Sequence, residues 1–226
     1  MAGGRKHKRY STRSLNLSAV SVFVTKVELL NISIEGACIK SPKRLQSGST
    51  CALTLEDKEL ASPLQGTIMW ESLSEHTVDL SGEIVSRYTA GVKFDKMFTQ
   101  LTENMKMLVE NLPFKEYRVS STRFAFHTRV TASLEYHEQF RVKSMSLGGL
   151  LMESLNEIPK DSELALQIKL PRRSRPLSSG SKVASCVLVE GGMQNANRYD
   201  VGVEFIDISK KDSARLKKVL ESLSVL

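Results

Sequence analysis

The chain repeats itself. The segment RYTAGVKFDKM at 87–97 returns as RYDVGVEFIDI at 198–208, with Arg, Tyr, Gly, Val and Phe in the same places 111 residues apart. Upstream, LLNISIEGACIKS (29–41) matches VKSMSLGGLLMES (142–154). Between these, TCALTLE (50–56) corresponds to ELALQIKL (163–170), and GTIMWES (66–72) to VASCVLVEG (183–191). Self-similarity on this scale marks a chain made of two versions of one structural unit.

The unit is rich in strands and closes with a helix. Leu164, Leu166, Ile168 and Leu170 fall at every second position, the period-two signature of a half-buried strand. After each copy the spacing lengthens to three and four. Leu101, Met105, Leu108 and Leu112 follow the first, and Leu216, Val219, Leu220 and Leu223 the second, giving one apolar face on a helix. Ser209 with Asp212 three residues on reads as a helix cap. The boundary falls near Pro113 to Ser121, giving domains at 1–114 and 118–226. The expected fold is mainly β: two tandem small antiparallel β-barrels, each followed by a C-terminal α-helix. Barrel closure would remove exposed strand edges.

The net charge of +7 is concentrated. Residues 1–20 carry five Lys or Arg and no acid, and KLPRRSRPLSSGSK (169–182) carries five more, which leaves the rest of the chain at −3. Two basic patches on an otherwise slightly acidic body suit a specific anionic partner better than a general affinity for nucleic acid. Arg172, Arg173 and Arg175 of the second patch read as a solvated loop, with contact to an acidic partner, nucleic acid or a second ligand surface as the alternatives. The three cysteines, Cys38, Cys51 and Cys186, lack metal or redox spacing and fit a reducing cytoplasm. No apolar run reaches the ~20 residues of a membrane-spanning helix.

In the first repeat Arg5-x-x-x-Arg9 stands 22 residues ahead of Asn31-x-Ser33-x-x-Gly36, counted from Arg9. This order and separation, with the Gly91–Phe94 strand and the closing helix, resembles the PilZ domain, a family of bacterial receptors for cyclic di-GMP. The resemblance extends over both halves. It implies that Arg5 and Arg9 clamp guanine and phosphate while Asn31, Ser33 and Gly36 receive a guanine. The chemistry agrees. Arginine binds phosphate through a fork of donors and reads the O6/N7 edge of guanine or stacks on the base. The Asn31 carbonyl offers an acceptor to the opposite edge, and the Ser33 hydroxyl a donor or acceptor. A glycine at 36 permits close approach or a positive φ. His7, between the arginines, reads as solvated, and Trp70 as strand-core packing.

The second repeat carries a degraded version: Ser144-x-Ser146-x-x-Gly149, with Arg118 and Arg123 ahead of it. Serine replaces the amide, and the basic pair is five apart, so this half is expected to be a weaker second site or a packing and partner surface. The four histidines make no metal-like or nucleophile motif, and the resemblance implies a receptor that needs no cofactor and catalyses nothing. The expectation is a cytoplasmic cyclic di-GMP receptor. Its first half senses the ligand, and ordering of the arginine segment passes the signal to a protein partner. The alternatives are a basic-armed nucleic-acid-binding module and a scaffold that binds no nucleotide.

Overall fold

A computed structural model describes residues 7–12, 15, 17–33, 35–55, 63–78, 84–95, 124–171, 175–189 and 197–222. The elements, in order, are β1 (Tyr10–Ser11), β2 (Ser18–Ile32), β3 (Gly36–Ser41), β4 (Thr50–Leu55), β5 (Leu64–Val78), β6 (Ile84–Phe94), β7 (Phe124–Ser146), β8 (Gly149–Ser154), β9 (Glu163–Lys169), β10 (Leu177–Val189), β11 (Arg198–Ile208) and α1 (Lys210–Leu220). The strands pair as one series, β1-β7-β4-β5-β6-β3-β2-β9-β10-β11-β8, with further pairings of β7 to β2 and to β8.

The fold is mainly β, as the sequence predicts. The expected helix at 101–112 lies outside the described residues, so α1 is the helix among those described. Its cap is as read: Ser209 precedes the first turn and its Oγ accepts from the Asp212 amide at 3.0 Å. The alternating strand is also as read, with Leu164, Leu166 and Ile168 buried between exposed neighbours.

Two separate barrels, one per repeat and each with its helix, are not shown: the described strands pair as one series. The chain divides into two compact units that cut across the repeats. One, here the central unit, is Phe23–Glu138; the other, the arm unit, joins Met1–Val22 to Gln139–Leu226. The physical reason lies in β2 and β7. From Ser18 to Leu30 and from Phe124 to Lys143 there is no Gly, Pro, Asn or Asp to break the strand. Each therefore runs on as one strand, of 15 and 23 residues, where a hairpin would have turned the chain back within its own repeat.

In the central unit, β4 pairs with the Ala132–Tyr136 stretch of β7, and β5, β6, β3 and the Glu28–Ile32 end of β2 follow antiparallel. Its core joins Leu29, Ile39, Leu53 and Ile68 of the first repeat to Ala132, Leu134 and Tyr136 of the second. Phe23 stacks on Tyr136 at 5.7 Å between ring centroids.

In the arm unit, Ser18–Val20 of β2 pairs with Gln167–Lys169 of β9, and β10, β11, β8 and the Arg141–Ser146 end of β7 follow. Leu17 and Ala19 from the first repeat are buried here, along with Phe140, Met152, Leu166 and Leu216. Burying a side chain of this size stabilises by about 1.5–3 kcal/mol each, so neither core is complete without the strand that the other repeat lends.

The repeats keep the same local geometry all the same. Gly48 and Asp161 occupy equivalent turns with φ of 84° and 69°. The Gly48 amide donates to Ile68 at 2.7 Å and that of Asp161 to Val183 at 2.8 Å. Aspartate tolerates this left-handed position better than most side chains, and it pairs with Lys182 at 2.8 Å.

Candidate functional site

The two motif loops are built alike. In each, the preceding strand carries a bulge just before the motif: the pairing register shifts between Leu29 and Asn31 in one and between Val142 and Ser144 in the other. The bulge re-aims the side chains that follow. A serine hydroxyl then organises the turn. Ser33 Oγ donates to the Gly36 carbonyl at 3.2 Å and accepts from the Glu35 amide at 3.3 Å. Ser146 Oγ donates to the Gly149 carbonyl at 3.2 Å and accepts from the Gly148 amide at 3.2 Å. The next strand finishes the loop: Phe94 donates its amide to Glu35 at 2.9 Å, and Phe205 to Gly148 at 3.0 Å.

The glycines are required by close approach. A Cβ on Gly36 would collide with the Val92 carbonyl oxygen, and one on Gly149 with that of Val203. Neither has a positive φ. Sequence reasoning put these serines and glycines against the ligand; in the structure they first hold the loop's shape.

The surroundings of the loops differ. Gly36 pairs across with Lys93, whereas Gly149 pairs with Glu204. Asn31, Ser33 and Gly36 are partly exposed, while Ser144, Ser146 and Gly149 are buried. The first loop thus presents an amide at its start and has a cation across from its closing glycine. The second presents hydroxyls and backbone, with Lys182 opposite Glu204 on β10.

The amino-terminal arm covers part of that second loop. Tyr10 and Ser11 pair with Met145 and Ser144. Thr12 is buried; its amide donates to Lys143 at 3.2 Å and its Oγ1 to the Val142 carbonyl at 2.5 Å. The His7 ring lies against Gly148, where an added Cβ would stand 2.6 Å from its Cδ2. His7 is exposed, as expected, yet it is seated on the loop rather than loose. Arg9 is exposed between these anchors.

The structure therefore brings Arg9 together with Ser144, Ser146 and Gly149 in the arm unit, and places Asn31, Ser33 and Gly36 in the central unit. Arg5, Arg118 and Arg123 lie outside the described residues, as do Arg172 and Arg173. Arg175 is exposed, and its carbonyl accepts from Arg215 Nη2. The signal that could have revealed this placement was the absence of Gly, Pro, Asn and Asp between Ser18 and Leu30.

Trp70 departs from expectation. It is 47% exposed and its indole covers Gly91, its cross-strand partner. Among the described residues no group of three His, Cys, Asp or Glu side chains could hold a metal ion, and no helix is long and apolar enough to cross a membrane. No disulfide joins Cys38, Cys51 or Cys186; burial pushes the thiol of Cys51 up to about 12.

No curated protein matches the chain. Among solved structures it is similar to MrkH of K. pneumonia in its apo state, at 13% identity over 91% of this chain and 86% of that one, with a TM-score of 0.35. It is similar to YcgR of Escherichia coli in complex with c-di-GMP, at 10% identity over 87% and 83%, TM-score 0.31. It is also similar to PlzA of Borreliella burgdorferi in complex with c-di-GMP, at 11% identity over 96% and 94%, TM-score 0.26. The family model described as PilZ domain matches twice, at 4–111 and 116–222. With nearly its whole length accounted for by those two matches, the chain belongs to the PilZ domain family.

Proposed function

We propose that the protein is a receptor for cyclic di-GMP. The observation that carries this reading is the presence of two equivalent motif loops, each with a bulge, a serine-held turn and a glycine closed down by a neighbouring carbonyl, in a chain that matches the PilZ domain twice. A cyclic dinucleotide has two phosphates and two guanines. It calls for arginine forks, an acceptor for the guanine N–H edge, and a rigid surface to dock against.

Asn31 supplies the stronger acceptor, and Lys93, across from Gly36 at the end of the loop, favours an anion. The first repeat's loop is accordingly the better guanine receiver, with Ser33 and Gly36 fixing its shape. Ser144, Ser146 and Gly149 make the weaker loop. Each unit's pairings begin and end on β2 and β7, which pair with each other; this supports reading each unit as a small closed barrel. Signalling would run through the arm: ligand neutralises Arg5, Lys6, Lys8 and Arg9, seats them, and changes the surface a protein partner reads. The reading needs neither cofactor nor catalytic step.

Isothermal titration of the full chain with cyclic di-GMP tests this. Saturable heat that weakens in Asn31→Ala supports it. Silence with cyclic di-GMP, together with salt-sensitive binding to duplex DNA, overturns it in favour of a nucleic-acid module.

A further inference from the structure

We propose that the arginine arm of the first repeat serves the motif loop of the second, so that Arg9 acts with the Ser144–Gly149 loop and not with Asn31. This rests on the receptor reading above. The expected partnership, Arg5 and Arg9 with Asn31, Ser33 and Gly36, requires the chain to turn back between arm and motif. It does not turn. A strand advances about 3.3 Å per residue and carries its start away from its end, and β2 runs unbroken from Ser18 to Ile32.

The arm is instead fixed to the second repeat at several points. Tyr10 and Ser11 are in register with Met145 and Ser144, residues of the S-x-S-x-x-G motif itself. Thr12 is locked by two hydrogen bonds, to the Val142 and Lys143 carbonyls, at the Val142–Ser144 bulge itself. Two residues before Arg9, His7 occupies the space above Gly148 that a side chain there would fill. The residue matching Gly148 in the first repeat is Glu35, so that loop does not offer the arm the same seat. Arg9 is held between Tyr10 and His7, exposed, beside a loop whose preceding cation, Lys143, is paired with Asp200 at 2.7 Å and which has Glu204 across from Gly149. Supplying a cation to a degraded motif is a role this placement fits: the loop with serine in place of the amide receives the part of the arm that carries Arg9. A strand exchanged between two similar units for want of a hairpin turn is a low-cost rearrangement.

Two measurements on the full chain test it. The first asks where the arm sits. In His7→Cys/Gly148→Cys a disulfide should form on mild oxidation and be found by peptide mass as a 7–148 link within one chain. Failure to form that link overturns the proposal. The second is titration with cyclic di-GMP. Binding that survives Asn31→Ala and falls at least tenfold when Arg9→Ala is added supports it. If Asn31→Ala alone removes all heat, or Arg9→Ala adds nothing in that background, Arg9 does not serve the second loop and the proposal fails while the receptor reading stands. Silence from the wild type overturns the receptor reading and the ligand role of Arg9 with it, and the cross-link then judges the arm's placement alone.

Discussion

The carbonyl oxygen of Val92 occupies the place where a side chain on Gly36 would begin. The contact is to backbone of the strand that pairs with β3, so neither side can move aside without breaking the ladder. Gly36→Ala should therefore cost about 2 kcal/mol, within the range of substitutions that force such a clash. Urea unfolding measures this. Unchanged stability would mean the loop relaxes freely and that Gly36 matters only to a ligand.

Cys51 is 2% exposed, and burial with the nearby Asp95 charge pushes its thiol up to about 12. The thiolate is the reactive form, so Cys51 should resist alkylation at pH ~8 in the folded protein. Cys38 and Cys186 are only partly buried and should react first. In denaturant all three should label at similar rates. Mass spectrometry of time points distinguishes them, and early labelling of Cys51 would place it at the surface.

Glu71 gives a pH dependence with a definite sign. Burial raises its carboxyl above the usual 4.5, and the Arg44 guanidinium, 3.7 Å away, opposes part of that rise. A carboxyl with a raised folded pKa favours folding when protonated. That contribution is whole below about pH 4.5 and is lost as pH climbs through the raised folded value. Wild type should thus lose stability relative to Glu71→Gln as pH goes from about 4 to 7. Urea midpoints for the pair across that range report it, and a wild type that holds or gains stability relative to Glu71→Gln as pH rises would show that Arg44 offsets or outweighs burial.

Much of this was legible before any coordinates. The period-two run at 163–170, the Ser209 cap and the equivalence of the NISIEG and SMSLGG loops follow from spacing and side-chain type. These are local features, and the repeat doubles the evidence for each. The partnership of the strands was not legible from the repeat, because both a hairpin and a through-running strand satisfy the same alternation. The deciding signal was negative: no Gly, Pro, Asn or Asp stands from Ser18 to Leu30, and Val22 and Val24 are left 47% and 69% exposed on the strand that results. Trp70 was misread for a related reason. Alternation does not say which face a long strand turns inward, and Gly91 across from it provides a shelf on the outer face.

Cutting the chain where the sequence repeats divide puts the exchange of strands to a direct test. A fragment of residues 116–226 would hold the whole second PilZ match apart from the strand it borrows. It would lose β1 and the start of β2, and with them Leu17 and Ala19 from its core. The edge of β9 that pairs with Ser18–Val20 would be bare, and β7 would present Ala132, Leu134 and Tyr136 without the strand β4 that covers them. An unpaired edge beside an uncovered apolar strand favours association over a folded monomer. The fragment should therefore aggregate or melt without a cooperative transition in circular dichroism, and co-expression with residues 1–115 should restore a soluble pair that co-purifies. A monomeric fragment that melts as sharply as the full chain would mean that each repeat can complete its own unit. In that case Arg9 would be free to return to the Asn31 loop of its own half.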